Sequence, residues 1–365
     1  MRNFLSLRLL STFSKKALPA IAGFLIASLV VTSCTEDVDE ISTSQISEKQ
    51  TPSLTLAPTS GEWIHIEGQS ENNARRATQA PGVDRGRFNI TLKYAFQDIF
   101  PVNERQKEVF EQAAARWERI IIKDKPSFTG ALPSAFDEEP FFDDFPPLVD
   151  GTVDDIIIEV VLAPIDGPGR ILGQAGPRFV RTSDFLTLSG VMFFDVADLG
   201  FLDQLDLFEE VIVHEMGHVL GVGTLWNVAP SFDRTLREGS DFNPFFAGKQ
   251  ANVFWNAEGG EGKLPIEGIQ ERVGTRFSHW DEDVLDNELM TGFLNLGENP
   301  LSRITAGSVR DLGYGAAMVG ENYDLPRGTQ GVTVEDDPHA AAHWEGLHIA
   351  EMEELLYPIG SVTVK

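Results

Sequence analysis

The feature that most limits what this chain can be is the stretch Val213-His214-Glu215-Met216-Gly217-His218-Val219-Leu220-Gly221. It contains H-E-x-x-H, and on a helix two histidines four residues apart leave the same face, close enough to share one zinc ion. Glu215 lies one step round that helix, where its carboxylate can take a proton from a zinc-bound water and later pass it to a leaving amine. The flanks predict the helix. Asp206 and Glu209 resemble a capping box, the run 207–220 holds no proline, and Gly221 and Gly223 supply a stop. Leu207, Val211, His214 and His218 share one stripe, while Phe208, Ile212, Val213, Met216 and Val219 fill much of the remaining surface. Such a helix should be buried, and burial strengthens the electrostatics of ligation and proton transfer.

Two histidines leave a zinc site one protein ligand short. Where the third follows directly, the pattern is H-E-x-x-H-x-x-G-x-x-H; Gly221 is present here, but Thr224 stands in the last place. Seven histidines are available in all, which keeps the search short. His65 lies in a polar N-terminal stretch, and His339, His343 and His348 lie in the C-terminal tail. His339 and His343 repeat the four-residue spacing, with Glu345 and Glu351 as nearby oxygens. No glutamate follows His339, and the pattern reads as a solvated terminal helix rather than a second metal site. His279 sits in Arg276-Phe277-Ser278-His279-Trp280-Asp281-Glu282, and Glu288-Leu289-Met290-Thr291-Gly292 follows. An acidic third ligand is the alternative, from Glu238 or Asp241, but neither falls in a helical N-E-x-x-[ED] pattern and His279 is preferred.

S-H-W-x-E followed by E-L-M-T-G, with Met290 eleven positions after His279, resembles the leishmanolysin-like metzincins, a family of zinc metallopeptidases. In that family an inserted segment separates the active-site helix from the third histidine, and here His279 follows His218 by 61 positions. The resemblance covers roughly residues 87–324 and is strongest in the second half. It implies His214, His218 and His279 as ligands of one catalytic zinc ion, Glu215 as catalytic base, and Met290 as the methionine of the turn beneath the metal. It further implies that Gly190-Val191-Met192-Phe193-Phe194-Asp195 is the edge strand before the active-site helix, pairing antiparallel with an extended substrate. The fold implied is α+β, with a twisted mixed sheet and two helices in an N-terminal subdomain (87–226). A mostly irregular C-terminal subdomain (227–324) ends in a helix at 302–312, with zinc on the floor of the cleft between the two.

Outside those subdomains the chain changes character. Residues 1–33 carry Arg2, Arg8, Lys15 and Lys16 and no acid, and the apolar run 17–31 has the length of an export signal rather than a membrane span. The run ends in Val31-Thr32-Ser33-Cys34, a lipobox-like sequence. Cys34 is the single cysteine, so no internal disulfide can form, and it is expected to be the lipid-modified first residue of a mature chain in the bacterial cell envelope, anchored to the outer membrane. Residues 34–86 are polar and read as a flexible tether or pro-region, and the acidic run at 36–40 resembles surface-export signals of bacterial lipoproteins. The full chain has 29 basic and 56 acidic residues, net −27, and loss of the four basic residues of the signal leaves 25 against 56, net −31. Such charge argues against nucleic acid as a partner.

Within the folded part, alternation at 88–96 predicts a strand, 103–122 a helix with Val109, Ala113 and Trp117 inward, and 156–162 a buried strand. Asp137, Glu138, Glu139, Asp143 and Asp144 offer oxygens for a structural calcium ion but lack EF-hand spacing. The long segment after Trp226 is expected to wall the cleft and return His279 to the metal, and residues 325–365 are expected to be a tail. The function expected is a zinc-dependent endopeptidase acting on extracytoplasmic proteins or peptides. The alternative is a catalytically silent surface lipoprotein that uses the same fold as an adhesin or binding module.

Overall fold

A computed structural model describes residues 54–57, 61–69, 86–136, 146–228, 232, 234–269, 276–325 and 346–364. Strand β1 spans Ile64–Gly68 and β2 Ile90–Tyr94, followed by helix α1, Glu104–Ile120. The Asn103 side chain accepts from the Gln106 amide while the Gln106 side chain returns the bond, closing a capping box at the start of α1. Its inner face is Phe110, Ala113, Ala114, Trp117 and Ile120, the helical spacing expected of an amphipathic helix laid on a sheet. Strands β3 (Phe128–Leu132) and β4 (Val149–Val153) form a hairpin pair, and β5 (Ile156–Ala163), β6 (Gly173–Arg181) and β7 (Thr187–Asp195) follow. Every residue of β5 and of β7 is buried, as continuous apolar runs covered on both faces should be.

A short helix α2 (Leu199–Leu205) leads into α3 (Phe208–Leu220), which carries H-E-x-x-H. Beyond it lie small strands β8 (Asn227–Val228), β9 (Arg234–Thr235), β10 (Arg237–Ser240) and β11 (Asn243–Phe246), then helix α4 (Lys249–Glu258) and strand β12 (Leu264–Pro265). The short helix α5 (Glu282–Leu285) and helix α6 (Arg303–Leu312) come next, and the chain ends with β13 (Glu353–Leu355) and β14 (Gly360–Val364).

The main sheet runs β1-β14-β6-β7-β5-β2, with β13 also paired to β6. It is mixed: β2, β5 and β7 are parallel, β6 is antiparallel to β7, and β13, β14 and β1 add to it in parallel register. Helices α1 and α3 cover one face through Trp117, Val213, Met216, Ile158, Val160 and Met192, and the β3–β4 pair covers part of the other through Phe128, Leu132, Ile157 and Leu188. The architecture is thus α and β elements around a mixed sheet, compatible with the α+β class. No helix among the described residues is long and apolar enough to cross a membrane.

Several expectations change. The stretch Gly190 to Asp195 is not an edge strand: β7 lies between β5 and β6, paired on both sides. Asp206 does not cap α3. It ends α2 instead, in the left-handed conformation (φ 58°), and Leu207 precedes α3 without a side-chain cap. Residues 234–269 are more ordered than their composition implied, because α4 packs on α6 so closely that a Cβ on Gly307 would lie 2.8 Å from the Ala251 backbone. Neither end of the chain is simply a tether or a tail. β1 comes from the stretch read as tether and β14 from the stretch read as tail, and each completes the other's pairing. The described residues fall in one compact unit, which contains both subdomains drawn at 87–226 and 227–324. Cys34, the acidic loop from Asp137 to Asp144, His339 and His343 lie outside the described residues.

Candidate metal centre

Helix α3 is buried from Val211 to Leu220, and its histidines face the segment that follows the insertion. Sequence placed His214 and His218 together by their spacing alone; the fold brings His279 to them from 61 positions away. The Nε2 atoms lie 3.0 Å (His214–His218), 3.1 Å (His218–His279) and 3.3 Å (His214–His279) apart, and all three rings are fully buried. Bonds of about 2.0–2.1 Å to a tetrahedral ion space its nitrogen ligands roughly 3.3 Å apart, so the cluster has the dimensions of a metal cage.

The far side of each ring explains its orientation. His214 Nδ1 donates to the Leu289 carbonyl at 2.7 Å and His218 Nδ1 to the Val222 carbonyl at 2.9 Å, while Ser278 Oγ stands 3.2 Å from His279 Nδ1. A carbonyl can only accept, so the proton of His214 and of His218 is on Nδ1 and the Nε2 lone pair faces inward. Inward lone pairs at 3 Å repel unless a cation sits at their focus, and anchoring through Nδ1 is the usual support of a metal-bound imidazole. Burial lowers the His214 pKa, which keeps that ring neutral and able to ligate.

The floor of the site depends on Gly217, the residue before the second histidine. A Cβ there would lie 2.6 Å from Met290 Sδ and 2.9 Å from Trp117, so glycine lets both side chains press against the helix backbone between the ligands. Trp117 Nε1 also donates to the Val213 carbonyl at 2.9 Å, consistent with its reading as core. Met290 is thus packed below the ligand helix, in a turn built by Glu288. The Glu288 carboxylate accepts from Ser302 Oγ (2.6 Å), Thr305 Oγ1 (2.6 Å), the Met290 amide (2.7 Å) and the Ser302 amide (3.2 Å). Thr305 Oγ1 in turn accepts from Trp280 Nε1, which ties the residue after His279 to the same network.

A further group was not anticipated. Glu353, at the start of β13, projects into the cluster: one oxygen lies 2.9 Å from His279 Nε2, the other 3.4 and 3.5 Å from the Nε2 atoms of His214 and His218. Together His214, His218, His279 and Glu353 form a group that could hold a metal ion. Both Glu353 oxygens are buried and accept from no amide or hydroxyl among the described residues. Both Glu215 oxygens are likewise buried without a donor, and the two carboxyls face each other. Burial opposes ionisation of both; at Glu353 positive charge within the imidazole cluster outweighs it and holds that carboxyl well below the usual range. Burial and then the Glu353 charge push Glu215 well above it.

His348 is not among the grouped ligands, and its ring stands edge-on to Phe293 at 6.1 Å. Glu238 and Asp241, the acidic alternatives for a third ligand, are on or beside β10 and are not among the grouped ligands. Of the described residues Asp124, Asp154 and Asp155 form the second acidic group, in none of the positions weighed for calcium. In comparison with known proteins, the sequence matches no family model and no curated protein.

Proposed function

We propose that the chain is a zinc endopeptidase of the leishmanolysin-like metzincin type, lipid-anchored through Cys34 in the bacterial cell envelope and acting on proteins or peptides there. One observation carries the reading: three buried imidazoles aim their Nε2 atoms at one point, and Glu215, on the same helix, keeps both carboxylate oxygens free of donors. When bound, zinc supplies Lewis acidity toward the peptide carbonyl. The rest is done by the protein. His214, His218 and His279 hold the ion through Nε2 in orientations fixed at Nδ1, and Met290 and Trp117 keep the helix from shifting beneath it. Glu215, with its high proton affinity in the buried site, takes a proton from the attacking water on a carboxylate oxygen and returns it to the leaving nitrogen. The segment 234–269 supports the His279 stretch, the Glu267 amide donating to the His279 carbonyl at 3.1 Å.

The test uses the full chain purified in detergent, with zinc content and cleavage of casein-derived peptides as readouts. Glu215→Ala is expected to keep its zinc while losing about 10²- to 10⁴-fold in rate, the range for a positioned acid–base group. His279→Ala is expected to lose both metal and activity; if it retains both, the ligand set is wrong. A second reading, a catalytically silent binding module, is favoured by one observation, the Glu353 carboxylate among the ligands. A parent chain that binds zinc and stays inert even after Glu353 is replaced decides for that reading.

A further inference from the structure

The approach to the ligand cluster is crossed by a strap. After Gly346 the chain bonds to the segment just beyond the Met290 turn: Leu347 and Leu294 exchange both backbone bonds at 2.7 and 2.8 Å, and the Ala350 amide reaches the Gly292 carbonyl at 3.3 Å. The strap then crosses to the sheet. Glu353, Glu354 and Leu355 pair with Gly173, Gln174 and Ala175 at the start of β6. The Leu172 amide donates to the Met352 carbonyl at 2.6 Å, and the Leu356 amide to the Ala175 carbonyl at 2.8 Å. Ile349 and Ala350 are buried on the near bank and Leu356 on the far one. Between the two anchorages Glu353 drops into the ring of imidazoles.

From this we infer that Glu353 is the fourth protein ligand of the metal and that residues 346–356 are a built-in latch, keeping the peptidase proposed above latent by filling the position that water and substrate need. The inference rests on that reading for what is inhibited, but not for the ligation itself. Three features support it. A carboxylate 1% exposed that accepts from no amide or hydroxyl among the described residues is costly unless a cation accepts it, and the three Nε2 atoms define where that cation lies. The group presented to the metal is a side-chain carboxylate and not a backbone carbonyl, so the strap blocks the site without offering a bond to cleave. Gly176 is shaped for the strap: a Cβ there would lie 2.1 Å from the Leu356 carbonyl oxygen, so only glycine lets the strap backbone settle against β6.

The experiment uses the full chain loaded with cobalt(II), whose visible absorption reports its ligands, and acetohydroxamate as a small probe of an open coordination position. Glu353→Ala is expected to change the cobalt spectrum and to bind acetohydroxamate at least about tenfold more tightly than the parent, because the parent's site is open only a small fraction of the time. Gly176→Ala leaves every ligand in place and is expected to raise acetohydroxamate affinity in the same direction. Glu353→Gln, a weaker ligand of the same shape, should fall between the two. Peptide cleavage is measured alongside and is expected to rise at least about tenfold in Glu353→Ala. A changed spectrum with an opened site but no cleavage keeps the latch and sinks the peptidase reading. Cleavage by a Glu353→Ala protein whose spectrum and probe affinity match the parent does the reverse. If neither glutamate variant nor Gly176→Ala alters spectrum or probe binding, Glu353 is no ligand and the inference fails.

Discussion

Two buried glutamates stand within the same centre and are treated in opposite ways. Glu288 is 0% exposed and surrounded by four donors from Met290, Ser302 and Thr305. The Glu353 side chain is as deeply placed and accepts from no amide or hydroxyl among the described residues; its neighbours are the three imidazole Nε2 atoms. A carboxylate with four hydrogen bonds needs nothing further and acts as a structural staple; one with no donors is built for something not made of amide or hydroxyl. The difference teaches where to look for a cation: not where acids are plentiful, as on this strongly acidic surface, but where a buried acid has been left without hydrogen bonds.

The comparison can be tested by removing what each glutamate depends on. The largest effect is expected from the metal. At a free zinc concentration a thousand times its dissociation constant, binding should add about 4 kcal/mol of apparent stability, lost on chelation and seen as a drop in the urea midpoint. Glu288→Ala comes next: it strands the Ser302 and Thr305 hydroxyls and two amides, and should cost about 3 kcal/mol with or without metal. Glu353→Ala should behave differently, costing stability in zinc but leaving the chelated protein within about 1 kcal/mol of the parent or more stable, because an uncompensated buried charge has gone. Equal losses for Glu288→Ala and Glu353→Ala in chelator would erase the distinction.

Smaller effects sharpen it. Burial raises the Glu288 pKa above its ordinary 4.5, although its hydrogen bonds pull the other way. A raised folded-state value means that its contribution to stability is complete below about pH 4.5 and is lost as pH climbs through the raised value. Glu288→Gln should flatten that part of the stability-against-pH curve of the chelated protein, at a cost of about 1 kcal/mol where its amide meets the Met290 N–H. Trp280→Phe, which removes only the donor to Thr305, should cost about 1 kcal/mol, read from the same urea titration.

What could be read from sequence divides by range. His214, His218 and Glu215 were legible because one helix turn fixes their geometry, and α1 because its apolar spacing and Asn103–Gln106 cap are local. His279 and Met290 were legible only through the resemblance of the segments around them. Glu353 was not, since nothing in Met352-Glu353-Glu354-Leu355 distinguishes one acid from the next; its placement depends on pairing with β6, about 180 residues earlier. The same limit hid β1, five residues in a polar stretch whose pairing partner lies at the other end of the chain, and misplaced β7, whose apolar run could not reveal that β6 would cover its outer side. Asp206 failed for a local reason: the preceding turn is itself helical and claims that residue for its own end.

Strand β14 is inserted between β1 and β6 rather than added at the margin, with Ser361 Oγ accepting from Trp63 Nε1 across 298 positions. Contacts of that sequence separation form late, because the chain entropy they cost is recovered only when most of the molecule is already in place. Glu353 lies seven residues upstream of β14, and its strand pairs with β6 as β14 does. β6 thus holds both the strand that fills the sheet and the one that carries the carboxylate to the imidazoles.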